Sequence, residues 1–179
     1  MNPYAAPTAK VDAAASAPEP VFFAVSGLKL ALMSVVTLGL YEVYWFYKNW
    51  KCVQRNSGDR VNAPLRAIFY PVISYPLFKR IRSHAQGSGV QADFPAGALA
   101  GAVFVLTLLW RLPDPWWLAG FLGVVALLPV QAAANAINRK QAPAADPNTR
   151  FTGWNILGLV AGGLVVILAI IGAFAPVPE

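Results

Sequence analysis

The chain has 179 residues, of which 57% are hydrophobic, and its 14 Lys and Arg and 8 Asp and Glu residues make up only 12% of the sequence. A soluble globular domain carries about 25% charged residues, whereas 94–110, 115–138 and 151–178 contain none, which leaves room in each for a membrane helix of about 17 to 25 residues. This composition excludes a water-soluble enzyme domain and, because Cys52 is the single cysteine, a disulfide scaffold; it favours a small all-α integral membrane protein.

The chain begins with an Ala- and Pro-rich stretch, 1–21, which has no periodic apolar face and is predicted to be a disordered tail. A single multi-pass membrane domain is predicted over 22–175, followed by a short tail, 176–179. The first predicted span covers 28–47, which corresponds to about 30 Å of helix. Glu42 lies inside this span, about 8 Å from its end, so we expect it to face other helices and not lipid.

The next apolar segment, 65–78, is interrupted by Pro71 and Pro76. As a helix it would measure about 21 Å, which is too short to cross the hydrocarbon core of a bilayer. Arg66 lies near its start and further basic residues follow its end. We therefore predict a short Pro-containing segment that is re-entrant or lies at the membrane interface.

Three further spans are predicted at 95–112, 116–134 and 154–175. The turn between the first two of these spans is short and contains Pro113 and Pro115, so the two helices are expected to form an antiparallel hairpin. Every tryptophan lies near a predicted helix end, as expected for side chains that anchor helices at the headgroup level. The sequence thus predicts four transmembrane helices plus the short segment.

The distribution of Lys and Arg determines the predicted topology, because cytoplasmic loops are enriched in these residues. If 65–78 returns to the side from which it came, one side carries eleven cations and the other two. If it crosses, giving five spans, the division is six against seven and favours neither orientation. We therefore predict four spans with both termini outside the cytoplasm. The resulting basic cytoplasmic face is expected to attract anionic lipids.

Polar side chains gather on the predicted cytoplasmic half of the spans. Three of them recur at helical spacing and so share one helix face. The candidate polar cluster consists of Glu42, Asn49, Arg66, Gln131, Asn135, Asn138 and Asn155. Two interpretations stay open. In the structural one, Glu42 pairs with a cation, Arg66 being the first candidate, while the amides bridge helices. In the functional one, the cluster lines a binding or ion-conducting vestibule.

Small residues at four-residue spacing predict close helix packing, either inside the bundle or at an oligomer interface. They are Gly97, Gly101, Gly158 and Gly162. One His and one Cys cannot build a tetrahedral zinc site, a cysteine-ligated cluster or a bis-histidine haem site, so no metal or cofactor is predicted. No catalytic residues are predicted either. Topology accounts for the basic residues, so no nucleic-acid partner is expected.

The residues Thr37-Leu-Gly-Leu-Tyr-Glu-Val-Tyr-Trp-Phe-Tyr-Lys-Asn-Trp50 form a dense aromatic motif. This motif resembles the signature of an uncharacterised family of bacterial inner-membrane proteins, a domain of unknown function. The stretches 64–69, 114–117 and 148–155 belong to the same pattern, so the resemblance covers about 22–175. It implies a multi-pass helical fold in a bacterial inner membrane, and it brings no activity or catalytic residue with it.

These features together predict a non-enzymatic accessory, assembly or interaction protein whose helix faces bind a membrane-protein partner or a second copy of the chain. The alternative is a small oligomeric transporter or channel that uses the candidate polar cluster as a cytoplasmic vestibule.

Overall fold

The computed structural model describes residues 19–175. Its described part contains the α-helices α1 Gly27–Val36, α2 Leu40–Ser57, α3 Ala63–Ile68, α4 Tyr70–Gly87, α5 Ala96–Leu108, α6 Gly123–Gln141 and α7 Gly153–Ala173. Two 3₁₀ helices, Leu109–Arg111 and Trp116–Leu122, join α5 to α6. The predicted all-helical class is confirmed over these residues. Most of the predicted tail 1–21, and all of the tail 176–179, lies outside the described residues.

Two helical stretches are long and apolar enough to cross a membrane, namely Trp116–Gln141 and Gly153–Ala173. The prediction of four such helices is therefore wrong. The stretch Ala96–Arg111, which contains most of the predicted span 95–112, is apolar but shorter than a typical membrane helix. The predicted span 28–47 fails for a different reason, which is a reversal of the chain.

The chain reverses at Thr37–Gly39, so 28–47 does not form one helix. Gly39 adopts a left-handed conformation with φ of +85°, which glycine accepts without a steric penalty. Phe23, which precedes α1, donates its backbone N–H to Asn49 Oδ1 in α2 at 3.2 Å. In one continuous helix these two residues would be about 39 Å apart. Consequently α1 and α2 form a hairpin, and the residues flanking it lie at the same end of the molecule.

A second hairpin is formed by α3 and α4. Asn62 caps the start of α3, and the chain reverses around Phe69. Within α4, Pro76 cannot donate a backbone hydrogen bond, and the helix kinks at Ile73, which has non-helical dihedral angles. The segment predicted at 65–78 lies inside this hairpin.

An aromatic core joins the two hairpins. Trp45 and Phe46 of α2 and Phe78 of α4 are fully buried. The ring of Phe46 stacks on those of Tyr70 and Phe78, with centroid separations of 4.7 Å and 5.9 Å. Such pairs stabilise a fold by about 0.5–1.5 kcal/mol each beyond the burial of their area. The hairpins therefore form one packed unit.

The remaining helices are α5, α6 and α7. The 3₁₀ segments after α5 and before α6 pack through Trp110, whose ring stacks on Trp117 at 5.7 Å and contacts Phe121. By contrast, α7 packs mainly along α1. The tip of α1 meets α7 at Gly162, about 14 Å from the start of that helix and near its middle.

Exposed apolar side chains divide the surface of the described chain into two zones. All the large exposed hydrophobic side chains fall within 28–44, 65–75, 104–125 and 154–174, which we call the apolar zone. The intervening ranges 45–64, 76–103 and 126–153 expose none, and together with 19–26 they form the polar zone. The hairpin tips, the α5–α6 turn and most of α7 thus all expose large apolar side chains.

The two ends of the described chain lie in different zones. Val21 accepts a hydrogen bond from Asn56 at 2.7 Å, which places the start of the described chain in the polar zone. The last turn of α7 lies in the apolar zone. The expectation that both termini lie outside the cytoplasm stays a prediction. The terminal residues themselves lie outside the described range.

Candidate functional site

The centre of the candidate site is a buried extended segment, Phe22–Val25, which precedes α1. Its four residues are between 0% and 7% exposed. Since this backbone is neither helix nor strand, its N–H and C=O groups need partners from elsewhere in the protein. Side-chain amides supply them.

Asn138 of α6 makes two hydrogen bonds to Phe22. Its Oδ1 accepts from the Phe22 N–H at 3.0 Å, and its Nδ2 donates to the Phe22 carbonyl at 2.8 Å. This is the pairing that a neighbouring β-strand would provide. One asparagine therefore substitutes for a strand and attaches the segment to α6.

The next residues of the segment are held in the same way. Phe23 donates to Asn49 and accepts from Gln131 Nε2 at 3.1 Å. The carbonyls of Ala24 and Val25 accept from Asn148 and Asn135, at 3.0 Å and 2.8 Å. We call the five amide side chains the amide cradle: Asn49, Gln131, Asn135, Asn138 and Asn148.

Members of the amide cradle also bond to one another and to α2. Gln131 Oε1 accepts from Trp45 Nε1 at 2.5 Å, and its Nε2 also donates to Asn135 Oδ1 at 2.8 Å. Asn49 Nδ2 donates to the Trp45 carbonyl at 3.0 Å. Each such bond contributes about 0.5–1.5 kcal/mol net, and a buried group left without its partner costs about 1–3 kcal/mol. The amides are thus occupied in holding the fold.

Glu42 does not pair with Arg66 as predicted. Its Oε2 accepts a hydrogen bond from the Tyr70 hydroxyl at 2.9 Å, which joins the tips of the two hairpins. The Arg66 guanidinium instead lies over the Trp50 ring, 4.3 Å from the centroid. Glu42 and Arg66 therefore occupy separate sites, both distinct from the amide cradle.

Asn155 caps α7, and within the described chain its side-chain hydrogen bonds go to Thr152 and not to the segment Phe22–Val25. Its side chain accepts from the backbone N–H of Thr152, whose hydroxyl in turn caps the Asn155 N–H. Sequence analysis missed Asn148 and Tyr70 as partners. Asn148 occurs in one of the stretches that carry the family resemblance, and its φ of +51° is a conformation that asparagine tolerates better than most residues.

The predicted packing glycines differ in their surroundings. A Cβ at Gly162 would lie 2.9 Å from the Val36 carbonyl carbon, and one at Gly158 would lie 3.7 Å from Met33. One at Gly97 would meet Tyr75 at 3.9 Å, whereas Gly101 has no neighbour within 4 Å. The close helix approach is therefore that of α1 to α7 at Gly162.

Basic side chains dominate the polar zone. Its ion pairs are Arg55 with Glu19, Arg80 with Asp59 at 2.6 Å and Arg82 with Asp93 at 2.7 Å. These pairs are well exposed, so each contributes about 0–1 kcal/mol. Many further Lys and Arg residues remain without an acidic partner in the described chain, which leaves this zone positively charged. Residues 19–175 contain no group of three or more metal-ligating His, Cys, Asp or Glu side chains.

Comparison with known protein families, with characterised proteins and with solved structures finds no match to the chain. The resemblance of 37–50 to bacterial inner-membrane proteins accordingly stays a prediction. The function has to be inferred from the geometry of the molecule itself.

Proposed function

We propose that this protein is a non-enzymatic accessory or interaction protein of the bacterial inner membrane. The apolar zone lies in the bilayer together with the buried apolar parts of α5 and α6, and the parts of the polar zone that carry Lys and Arg project into the cytoplasm, where they attract anionic lipids. The division of the surface supports this placement, because a soluble monomer rarely exposes an apolar helix as long as α7, which buries a single residue.

In this arrangement α6 and α7 cross the membrane, and the shorter α5 crosses beside α6 with the help of the 3₁₀ turn Leu109–Arg111, while the α1–α2 and α3–α4 hairpins enter from the cytoplasm and return. The meeting of α1 with the middle of α7 supports a hairpin depth of about half the bilayer. Arg111 lies at the α5–α6 turn, within the apolar zone. The excess of cations in the polar zone favours its cytoplasmic location, with the C-terminal end outside.

The observation that carries the interaction role is the exposure of α7. This helix has 21 residues, packs mainly on α1 and buries a single residue, Val166. Apolar surface alone gives membrane helices little reason to associate. A long exposed face of α7, next to the close contact between Gly162 and Val36, can nevertheless accommodate a second helix. We propose that a membrane-protein partner or a second copy of the chain packs there.

Photocrosslinking tests this role. A photoreactive residue replacing Leu164, which is 58% exposed on α7, is expected to capture one discrete membrane-protein partner or a second copy in intact membranes. The matched control replaces Leu65, which is 51% exposed on α3, and should give only lipid adducts. Lipid adducts alone at both positions, together with purification in mild detergent as a single monomer, would contradict the proposal.

A small oligomeric transporter is the second candidate, and the Glu42–Tyr70 pair favours it. A buried carboxylate at a hairpin tip is the kind of group that membrane proteins place on ion pathways. This candidate requires a water-filled path that reaches both Glu42 and the amide cradle. Cysteines introduced by Gln131→Cys and Asn135→Cys should then react with a small water-soluble thiol reagent, whereas an accessory protein should protect both.

A further inference from the structure

Lys29 carries a buried positive charge without a negative partner. Its side chain is 3% exposed, although a lysine at a membrane interface ordinarily reaches out toward water. The Nζ atom donates to Asn148 Oδ1 and to the Arg150 carbonyl, both at 2.8 Å. Both acceptors are neutral, and no carboxylate in the described chain forms an ion pair with it. A buried ammonium in this state favours the binding of an anion.

A cavity of about 390 Å³ adjoins Lys29. Two phenol side chains of α2, Tyr41 and Tyr44, form one wall, and Thr152 and Asn155 at the start of α7 form another. The hydroxyl groups can donate to an anion, and the N-terminus of a 21-residue helix adds a partial positive charge. Its volume lies within the about 300–1,000 Å³ typical of small-molecule sites. We call it the Lys29 cavity.

The Lys29 cavity lies at the boundary between the apolar and polar zones. Two exposed residues of the apolar zone lie at this boundary. Tyr44 is the last of them in α2 and is 44% exposed, and Trp154 is the first of them in α7 and is 82% exposed. Lys48 lies beside two residues that line the cavity, with its Nζ 5.8 Å from the Phe23 ring centroid and 6.0 Å from that of Tyr44. A ligand can therefore enter sideways from the headgroup layer and meet a second cation at the entrance.

We propose that the Lys29 cavity binds the phosphate of an anionic phospholipid headgroup from the cytoplasmic leaflet. The Lys29 ammonium supplies the charge, and the tyrosine hydroxyls and the start of α7 orient the phosphate oxygens. Soluble phosphate shares this chemistry, but the position of the cavity at the zone boundary favours lipid. This inference rests on the proposed membrane insertion of the chain.

The test measures lipid retained by the delipidated full-length protein in mixed micelles of phosphatidylglycerol and phosphatidylcholine, counted by native mass spectrometry. The wild-type protein is expected to retain one phosphatidylglycerol in preference to phosphatidylcholine. Lys29→Gln should lower this preference about fivefold, as expected for the loss of one cation. The matched control is Lys51→Gln, which removes an exposed cation of α2 outside the cavity and should leave the preference unchanged.

Additional variants and measurements distinguish failure of the lipid site from failure of folding or of membrane insertion. If Lys29→Gln does not fold, Tyr41→Phe removes a single hydroxyl from the cavity and should still weaken retention. Equal retention in the wild type and in both cavity variants overturns the proposal. Displacement of the lipid by millimolar inorganic phosphate would assign the cavity to soluble phosphate instead. Release of the wild-type protein from membranes by alkaline carbonate would contradict membrane insertion, whereas insertion without selective retention refutes the lipid site alone.

Discussion

Arg80 and Asp59 form an ion pair of 2.6 Å although α3 and the first ten residues of α4 lie between them in the sequence. Both side chains are about 40% exposed, so the pair adds little stability. The pair instead constrains the path of the chain, because a segment that crossed a bilayer would separate its flanking residues by about 30 Å. The contact requires that the chain entering α3 and the chain in the middle of α4 lie on the same side.

Loss of one member of the amide cradle should expose the segment Phe22–Val25 to solvent exchange. Asn138→Ala removes both hydrogen bonds to Phe22, and each buried group left unpaired costs about 1–3 kcal/mol. Hydrogen exchange measured by mass spectrometry should show faster exchange of the peptide that contains Phe22 and Phe23. Gln91→Ala, on an exposed loop, is the control and should leave this peptide protected. Unchanged protection in Asn138→Ala would refute the role of the cradle.

The Glu42–Tyr70 hydrogen bond should stabilise the contact between the hairpin tips. Tyr70→Phe leaves the buried Glu42 without its hydroxyl partner, so we expect the free energy of unfolding to fall by about 1–3 kcal/mol. Tyr75→Phe, in the same helix but 47% exposed, serves as the control. Thermal unfolding in detergent measures both. If Tyr70→Phe and Tyr75→Phe lower the transition temperature equally, the bond has no structural role.

A single methyl group on α7 should disturb its contact with α1. The Cβ of Gly162→Ala would lie 2.9 Å from the Val36 carbonyl carbon and 3.1 Å from its Cβ, so the helices must move apart. We expect a loss of about 1–3 kcal/mol, as for other overpacked contacts. The neighbouring Gly163→Ala meets no atom within 4 Å and should be neutral or slightly stabilising. Equal unfolding temperatures for the two variants would contradict close packing at Gly162.

Cys52 in α2 should react slowly with thiol reagents in the folded protein. Burial in the polar zone raises the pKa of its thiol, although the nearby Arg55 and Lys48 act in the opposite direction. Less thiolate is therefore present at neutral pH than in an exposed cysteine. Maleimide labelling followed over time should be slow in the folded protein at pH 7, faster as the pH rises, and fast after denaturation. Rapid labelling of the folded protein at pH 7 would be inconsistent with this environment.

Much of the helical architecture follows from the pattern of charge and hydropathy. The long uncharged stretches predicted α6 and α7, because their apolar residues continue for at least a full membrane thickness. The spacing of Gln131, Asn135 and Asn138 placed their side chains on one face, where the structure brings them to the same buried segment.

The hairpin of α1 and α2 was not predictable from the same signals. Its turn at Thr37–Gly39 contains no proline, and one glycine inside an apolar stretch is tolerated in a helix, so 28–47 resembled a continuous span. The sequence pattern also did not show which groups the amide side chains bind. They bind main-chain groups of Phe22–Val25, and side-chain identities carry little information about which backbone will need partners.

The sidedness of Arg60 and Arg82 tests the central claim most directly. Single cysteines introduced by Arg60→Cys, Arg82→Cys and Leu112→Cys, each with Cys52→Ser, can be labelled with a membrane-impermeant maleimide in right-side-out and inside-out vesicles. The two hairpins and three crossings predict that positions 60 and 82 are labelled only from the cytoplasmic face and position 112 only from the opposite one. Labelling of 60 and 82 from opposite faces would contradict this architecture.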